Sequence, residues 1–521
     1  MALTNKSIFY ILLIITAIII FGNLSGIPLL DPDEPVYAET PREMIIYSDF
    51  LSPRIYGEYW YDKPPMYYWL VAASFTLFGA GEFAARFPSA LLSLVTIILV
   101  YFAGSKVIGK RGGIIAAFVL ATSIEFFYLG KAAVTDITLN LFLTASLLSF
   151  IRNKYYLFYL FAGLATLTKG PIGLFFPAVI VFLYLLLTRN LQRLKTMKIF
   201  SGTLLFAAVA IPWYAIMYHF HGSAFIETFL GFHNITRFTS PEHPSGTLWY
   251  YYIPVLLIGF FPWITTLGQA VFQSFIQPRN KANELLFFNI WATVIFIFFT
   301  ISQTKLVSYI LPMYPALALL VGWHIDKQWS NWYGNKRQYI WGGLMAFLLI
   351  LFSIGSYLSI PQLPSIEHGV YALIAIFTIW LLAFLWFIWQ KRIANLVISN
   401  IIAMTMTALV ISYMLFPAIA PEFAAKDTAQ EFKTLYDGKS EVYISKFLRP
   451  GFAFYSGIYG QELYFSKDLM PDIEKIIAIP GQSYFILRTM DYERINATAR
   501  NKMQVLKTVN NKIILQKKSV I

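Results

Sequence analysis

A few short stretches of this chain carry residue types that could do chemistry. DPDEPVYAETPREM (Asp31 to Met44) sets Asp33 and Glu34 between prolines, with Tyr37 and Arg42 behind them. YWYDKPP holds Asp62 and Lys63, GKAAVTD ends on Asp136, HNITRFTSPEHPSG contains His243, and SQTKLVSYILP holds Lys305 and Tyr309. Carboxylates beside lysines, an arginine and a tyrosine suit transfer of a group from a phosphate-linked donor. The cations hold the phosphate as it leaves, while a carboxylate orients or deprotonates an acceptor hydroxyl. Asp62 with His243 could hold a divalent metal ion, though two ligands make an incomplete site.

The elements that position these residues are membrane helices. Of 521 residues, 58% are hydrophobic and only 13% charged, too little charge to cover a soluble protein of this length. Runs near the roughly 20 residues of a crossing recur at 7–23, 84–107, 113–130, 136–151, 155–169, 171–188 and 199–219, then at 248–273, 285–302, 306–324, 339–360, 369–389 and 396–416. The chain therefore reads as an α-helical polytopic membrane protein of about 13 spans. Pro64 to Gly79 is apolar, aromatic and short, which fits a helix lying in the interface. Lys and Arg alternate between the loops: Lys110 and Arg111, Arg152 and Lys154, Arg189 and Arg193, and Lys391 and Arg392 fall on one side. That side is cytoplasmic by the positive-inside rule. Much of the net charge of +13 is thus topological, and nucleic acid is not an expected partner.

With the N-terminus inside, residues 1–416 form the transmembrane domain, with large outer loops at 24–83 and 220–247. Hydropathy falls from residue 417. EVYISKF, ELYFSKD, SYFILRTMD and MQVLKTVNNKIILQKK alternate like strands, so 417–521 reads as a small α/β domain on the outer face. Zero cysteines exclude thiol catalysis, iron–sulfur clusters and disulfides. Walker A, G-x-S-x-G, H-E-x-x-H and dinucleotide fingerprints are absent.

Under this topology the polar residues share one depth at the outer interface. Asp31, Glu39, Glu43, Glu125, Lys131, Lys169, His219, His221, His233 and Arg237 lie in the same layer as those named first. Each has an ordinary explanation: solvated carboxylates, Asp136 as a helix cap, Lys169 and Lys305 snorkelling. The shared depth carries more weight than any one residue. A transporter or flippase is the rival class, but neither mid-span charges nor an internal repeat supports it.

DEPVYAETPREM, YWYDKPPMYYWL, FAARFPSALLS, TLTKGPIG, HPSGTLWYYYIPVLLIGFFPW and SQTKLVSYILPMYPALALLVGWHID together resemble the bacterial branch of the protein mannosyltransferase superfamily, which includes the aminoarabinose lipid A transferases. The resemblance runs in order from about residue 30 to 325. It implies a GT-C type inverting glycosyltransferase of the bacterial inner membrane, multi-pass, with its active site facing the periplasm. The implied donor is a polyprenyl-phosphate-linked sugar. The acceptor is lipid A or, in related enzymes, a protein, another glycolipid or a polysaccharide. Carried over by motif, Asp33, Glu34 and Asp136 are the implied catalytic residues. Lys63, Lys305 and Tyr309 are the implied donor-phosphate ligands. Where aminoarabinose transferases carry an Arg, this chain has Val36, which makes Arg42 the candidate replacement.

Overall fold

Away from water a backbone satisfies its own polar groups best as helix, so the apolar runs form helices. The computed structural model describes residues 5–241, 248–277, 283–330, 337–465 and 471–518. The first outer loop lies between α1 (Asn5–Phe21) and α4 (Glu82–Val107). It holds α2 (Asp33–Ile46), a two-stranded ribbon of β1 (Arg54–Ile55) and β2 (Glu58–Tyr59), and α3 (Met66–Phe78). Next come α5 (Lys110–Ala121), α6 (Ile124–Lys131), α7 (Asp136–Ile151), α8 (Tyr155–Lys169), α9 (Ile172–Leu187) and α10 (Ile199–Ile226). A π-helical turn, Glu227–Thr236, leads into the short α11 (Arg237–Thr239). The second half of the helical region has α12 (Tyr252–Gly259), α13 (Ile264–Ile276), α14 (Asn283–Ile301), α15 (Tyr314–Ser330), α16 (Arg337–Ser359), α17 (Glu367–Trp389) and α18 (Ile393–Val410).

Every expected span coincides with one of these helices or with a bent pair. Among the described residues, seven helical segments are long and apolar enough to cross a membrane, or nine if each bent pair is one span. The rest, α1, α7, α8 and α9, have only 15 to 17 residues, shorter than a straight crossing. The expected 113–130 span is α5 and α6, bent by 62°, and 248–273 is α12 and α13, bent by 107°. Burial separates centre from edge: 83% of the apolar stretch ending in α15 is buried, against 17% of the one starting with α10. The short aromatic α3 packs between α2 and α4, burying Tyr67, Tyr68, Val71 and Phe75.

Beyond α18 the alternation read in the sequence becomes a five-stranded sheet in the order β4-β3-β5-β7-β6. The strands are β3 (Glu441–Ser445), β4 (Gln461–Leu463), β5 (Ser483–Arg488), β6 (Met503–Val509) and β7 (Lys512–Lys517). β3 runs parallel to β4 and β5, while β7 pairs antiparallel with β5 and β6. The Asn-rich hairpin turn holds Asn510 at φ +53, a conformation Asn tolerates. Side chains alternate between faces. Val442, Ile444, Tyr484 and Ile486 pack with Phe432 of α20 (Lys426–Leu435) and Phe452 of α21 (Arg449–Ser456). Tyr443, Phe485 and Leu487 face Ile473 and Ile477 on the other side. α19 (Phe416–Phe423) joins this region to the membrane helices.

Candidate active site

The DPDEP motif sends its three acids in three directions. Asp31 turns into the C-terminal domain, where its carboxylate accepts the Gly451 and Ala425 backbone N–H groups at 2.8 Å each. Burial pushes its pKa well up, against those two bonds. Gly451 is required for that approach, since a Cβ there would collide with the Asp31 carboxylate.

Glu34 turns inward. Arg86, in the first turns of α4, donates to both its carboxylate oxygens, at 2.8 Å and 2.6 Å. Arg86 also donates to the carbonyls of Leu24, Ile27 and Pro28. Glu34 further accepts the Leu30 and Ala133 N–H groups. Both side chains are buried, so this is a closed knot tying α2, α4 and the loop before α7. Glu34 is thereby corrected from a catalytic candidate to a positioning residue, because both its oxygens are engaged by Arg86 and by backbone N–H groups.

Asp33 alone is left accessible to solvent, at the first position of α2. Its carboxyl is pushed above the usual range by the crowding of protein around it, and then by the carboxylates of Asp136 and Asp62. Those two influences mark convergence, because the three residues come from the first outer loop, the loop before α3 and the start of α7. Pro32 at the N-cap and Pro35 in the first turn fit the start of α2, where a missing N–H costs no intrahelical hydrogen bond.

Asp62 is the hub of the neighbouring cavity. On its Oδ1 converge Lys63 Nζ at 2.8 Å, His233 Nδ1 at 2.7 Å and an Arg237 guanidinium nitrogen at 3.3 Å. Burial opposes ionisation of Asp62, but Lys63, His233 and Arg237 outweigh it and hold its pKa well below the ordinary value. Burial also pulls the Lys63 ammonium down, with Asp62 resisting. Across the cavity, Lys169 at the end of α8 pairs with Asp136 at 2.7 Å and lies 4.8 Å above the Tyr309 ring. Gly170, at φ +77, ends α8 there, and a Cβ on it would stand 2.9 Å from Phe229. The lining combines Lys63, Lys169, Arg237 and Asp62 with a wall of Phe229, Phe238, Phe298 and Phe299. Its cations outnumber its carboxylates three to one, and an aromatic slot lies beside them.

Other candidates are redistributed. Arg42 is corrected: it pairs with Glu39 at 2.6 Å and donates to the carbonyls of Ala453 and Phe454, so it holds α2 to α21 instead of facing the cavity. Lys305 donates to the Ser302 carbonyl at 2.6 Å and is not part of the lining, although Ser302, Thr304 and Tyr309 are. Lys131 donates to the Gly22 carbonyl just beyond α1. His243 lies outside the described residues. Among the described residues no group of three His, Cys, Asp or Glu could hold a metal ion. Asp62 Oδ1, already facing three basic groups, fits such an ion poorly. The sequence pointed to Lys169, His233 and Arg237 only by their depth; their convergence on Asp62 and Asp136 is a product of the fold.

Comparison with known proteins fixes the family. The family model described as Dolichyl-phosphate-mannose-protein mannosyltransferase matches residues 62–216. An uncharacterized protein of Aquifex aeolicus (strain VF5) is 32% identical over 355 residues, 68% of this chain and 80% of that one. The undecaprenyl phosphate-alpha-4-amino-4-deoxy-L-arabinose arabinosyl transferase of Aeromonas hydrophila is 32% identical over 309 residues, 56% of this chain and 55% of the relative. The alignment thus spans about half the length of that named transferase. The crystal structure of ArnT from Cupriavidus metallidurans bound to undecaprenyl phosphate superposes with a TM-score of 0.79 over 98% of both chains, at 20% identity. The chain belongs to the protein mannosyltransferase–aminoarabinose transferase superfamily. It is a multi-pass membrane glycosyltransferase of GT-C type, and that membership displaces the transporter reading.

Proposed function

We propose that this chain moves a sugar from a polyprenyl-phosphate donor to lipid A, with inversion at the sugar carbon, at the periplasmic face of the bacterial inner membrane. The observation that carries the reading is the cavity of three cations and four phenylalanines beside an accessible Asp33. Lys63, Lys169 and Arg237 hold the donor phosphate and stabilise its charge as the sugar leaves. The phenylalanine wall receives the first apolar units of the polyprenyl chain, and Tyr309 braces Lys169 from below its ammonium.

Asp33 faces the acceptor. Against a hydroxyl it takes the proton; against a lipid A phosphate, already ionised, it orients the attacking oxygen. Asp136 fixes Lys169 and raises the proton affinity of Asp33. Lys305 supports the Ser302 turn of the cavity through its carbonyl. The protein's own cations supply the charge stabilisation. The relatives named as aminoarabinose transferases support lipid A over a protein acceptor.

Mass spectrometry of lipid A from cells with and without this gene tests the reading. A sugar-sized mass lost with the gene and restored on its return is expected. Lipid A unchanged by deletion, under conditions where the protein is made, would overturn the acceptor assignment.

A further inference from the structure

A second cavity, of about 790 Å³, opens between the first outer loop and the C-terminal domain. Pro32, just before α2, and Val36 of α2 form part of its wall, on either side of Asp33 in sequence. Trp60 forms another part, and its ring lies 6.1 Å from that of His233, which contacts Asp62. The cavity therefore borders the donor site through the Trp60–His233 contact.

Its far wall belongs to the C-terminal domain and is basic. Arg488 is committed, since Asp491 holds it through two contacts at 2.8 Å and 3.1 Å. Lys446 and Arg449 are different. Each is braced against an aromatic ring, Lys446 4.7 Å from Tyr464 and Arg449 4.0 Å from Tyr56. Arg449 donates to the carbonyls of Tyr459 and Gly460, which fixes the direction of its remaining nitrogen. Between the two cations stands Glu462, 3.7 Å from each. That spacing is beyond a hydrogen bond, and a half-exposed pair at such a distance contributes little. Glu462 thus acts as a loosely held counter-ion between two pre-oriented donors, and an incoming anion can replace it at small cost.

We propose that this cavity takes the acidic sugar headgroup of the acceptor, with Lys446 and Arg449 meeting its phosphate and the rims of Trp60 and Tyr464 flanking its ring. The inference rests on the transferase reading above and adds where the acceptor is recognised. Donor and acceptor then come to the Asp33 region through two separate cavities, one lined by Lys63, Lys169 and Arg237 and the other by Pro32, Val36 and the C-terminal domain.

The test uses full-length protein in lipid nanodiscs and measures binding of the glucosamine disaccharide bisphosphate stripped of acyl chains. Lys446→Ala and Glu462→Gln are suitable variants, both side chains being substantially exposed. Lys446→Ala should weaken binding roughly tenfold, the value of one charge-assisted hydrogen bond. Glu462→Gln should tighten it, and neither should alter affinity for undecaprenyl phosphate. The same disaccharide without phosphates should bind the wild type and Lys446→Ala alike. Equal binding of the bisphosphate by all three proteins, or none by the wild type, would overturn the proposal. So would inorganic phosphate displacing the disaccharide as well as the disaccharide displaces itself. Release of undecaprenyl phosphate from the sugar donor, followed in parallel, reports the transferase reading separately.

Discussion

Two charged clusters of this protein are built on opposite principles. In the Glu34–Arg86 knot every polar group faces a partner: two guanidinium–carboxylate contacts, three carbonyls and two backbone N–H groups. In the cavity around Asp62 three basic groups crowd onto one of its oxygens, and the lining is cationic. A closed cluster leaves nothing for a ligand and serves to fix the backbone. A lopsided one leaves an excess of positive charge that an anion can meet. The adjacent acids Asp33 and Glu34 show the same contrast within a single peptide unit.

The largest effect is expected from opening the closed cluster. Glu34→Gln or Arg86→Met should cost about 3–5 kcal/mol, because one buried charge loses its partner; thermal unfolding in detergent measures it. A Glu34→Gln protein that is stable yet inactive would break the comparison and return Glu34 to the chemistry. Lys63→Ala should leave the fold in place, with His233 and Arg237 still holding Asp62, while kcat/KM falls roughly 10²–10³-fold. Unchanged affinity for undecaprenyl phosphate in that variant would contradict a phosphate-binding role.

A smaller effect is expected where Asp31 clasps the C-terminal domain. Gly451→Ala forces a methyl group against the carboxylate and should cost about 1–3 kcal/mol. Faster proteolytic release of the C-terminal domain reads this out, and an unchanged cleavage rate would show that the clasp is slack. The smallest is a shift in pH dependence. Asp33 is raised by its surroundings, so activity that needs its ionised form falls as pH drops through a value above the ordinary aspartate range. Asp136→Asn removes one repelling charge and frees Lys169, both of which favour ionised Asp33, so that acid limb should move to lower pH. Transfer rates across pH, compared as ratios between the two proteins, reveal the direction.

The helical frame and the strands of the C-terminal sheet were legible because both depend on local periodicity. The bends at α5–α6 and α12–α13 were not, since apolar content alone does not report where a span breaks. In the site, Asp33, Asp62, Lys63 and Asp136 stood out by type and by prolines or helix starts beside them. Glu34 and Arg42 looked equivalent to these, and only the location of Arg86 and of the Ala453 and Phe454 carbonyls separates them. Lys169, His233 and Arg237 have no local signature. Arg237 follows a π-helical turn about 175 residues from the Asp62 it contacts, a distance that sequence spacing cannot bridge.

The most direct test of the central claim is sugar transfer by Asp33→Asn in proteoliposomes supplied with undecaprenyl-phosphate sugar and lipid A, at matched protein level. The variant should keep normal stability and donor-phosphate affinity while transfer falls roughly 10²–10⁴-fold. Near-normal transfer by a folded Asp33→Asn protein would contradict the account and place the reacting centre elsewhere in the polar layer.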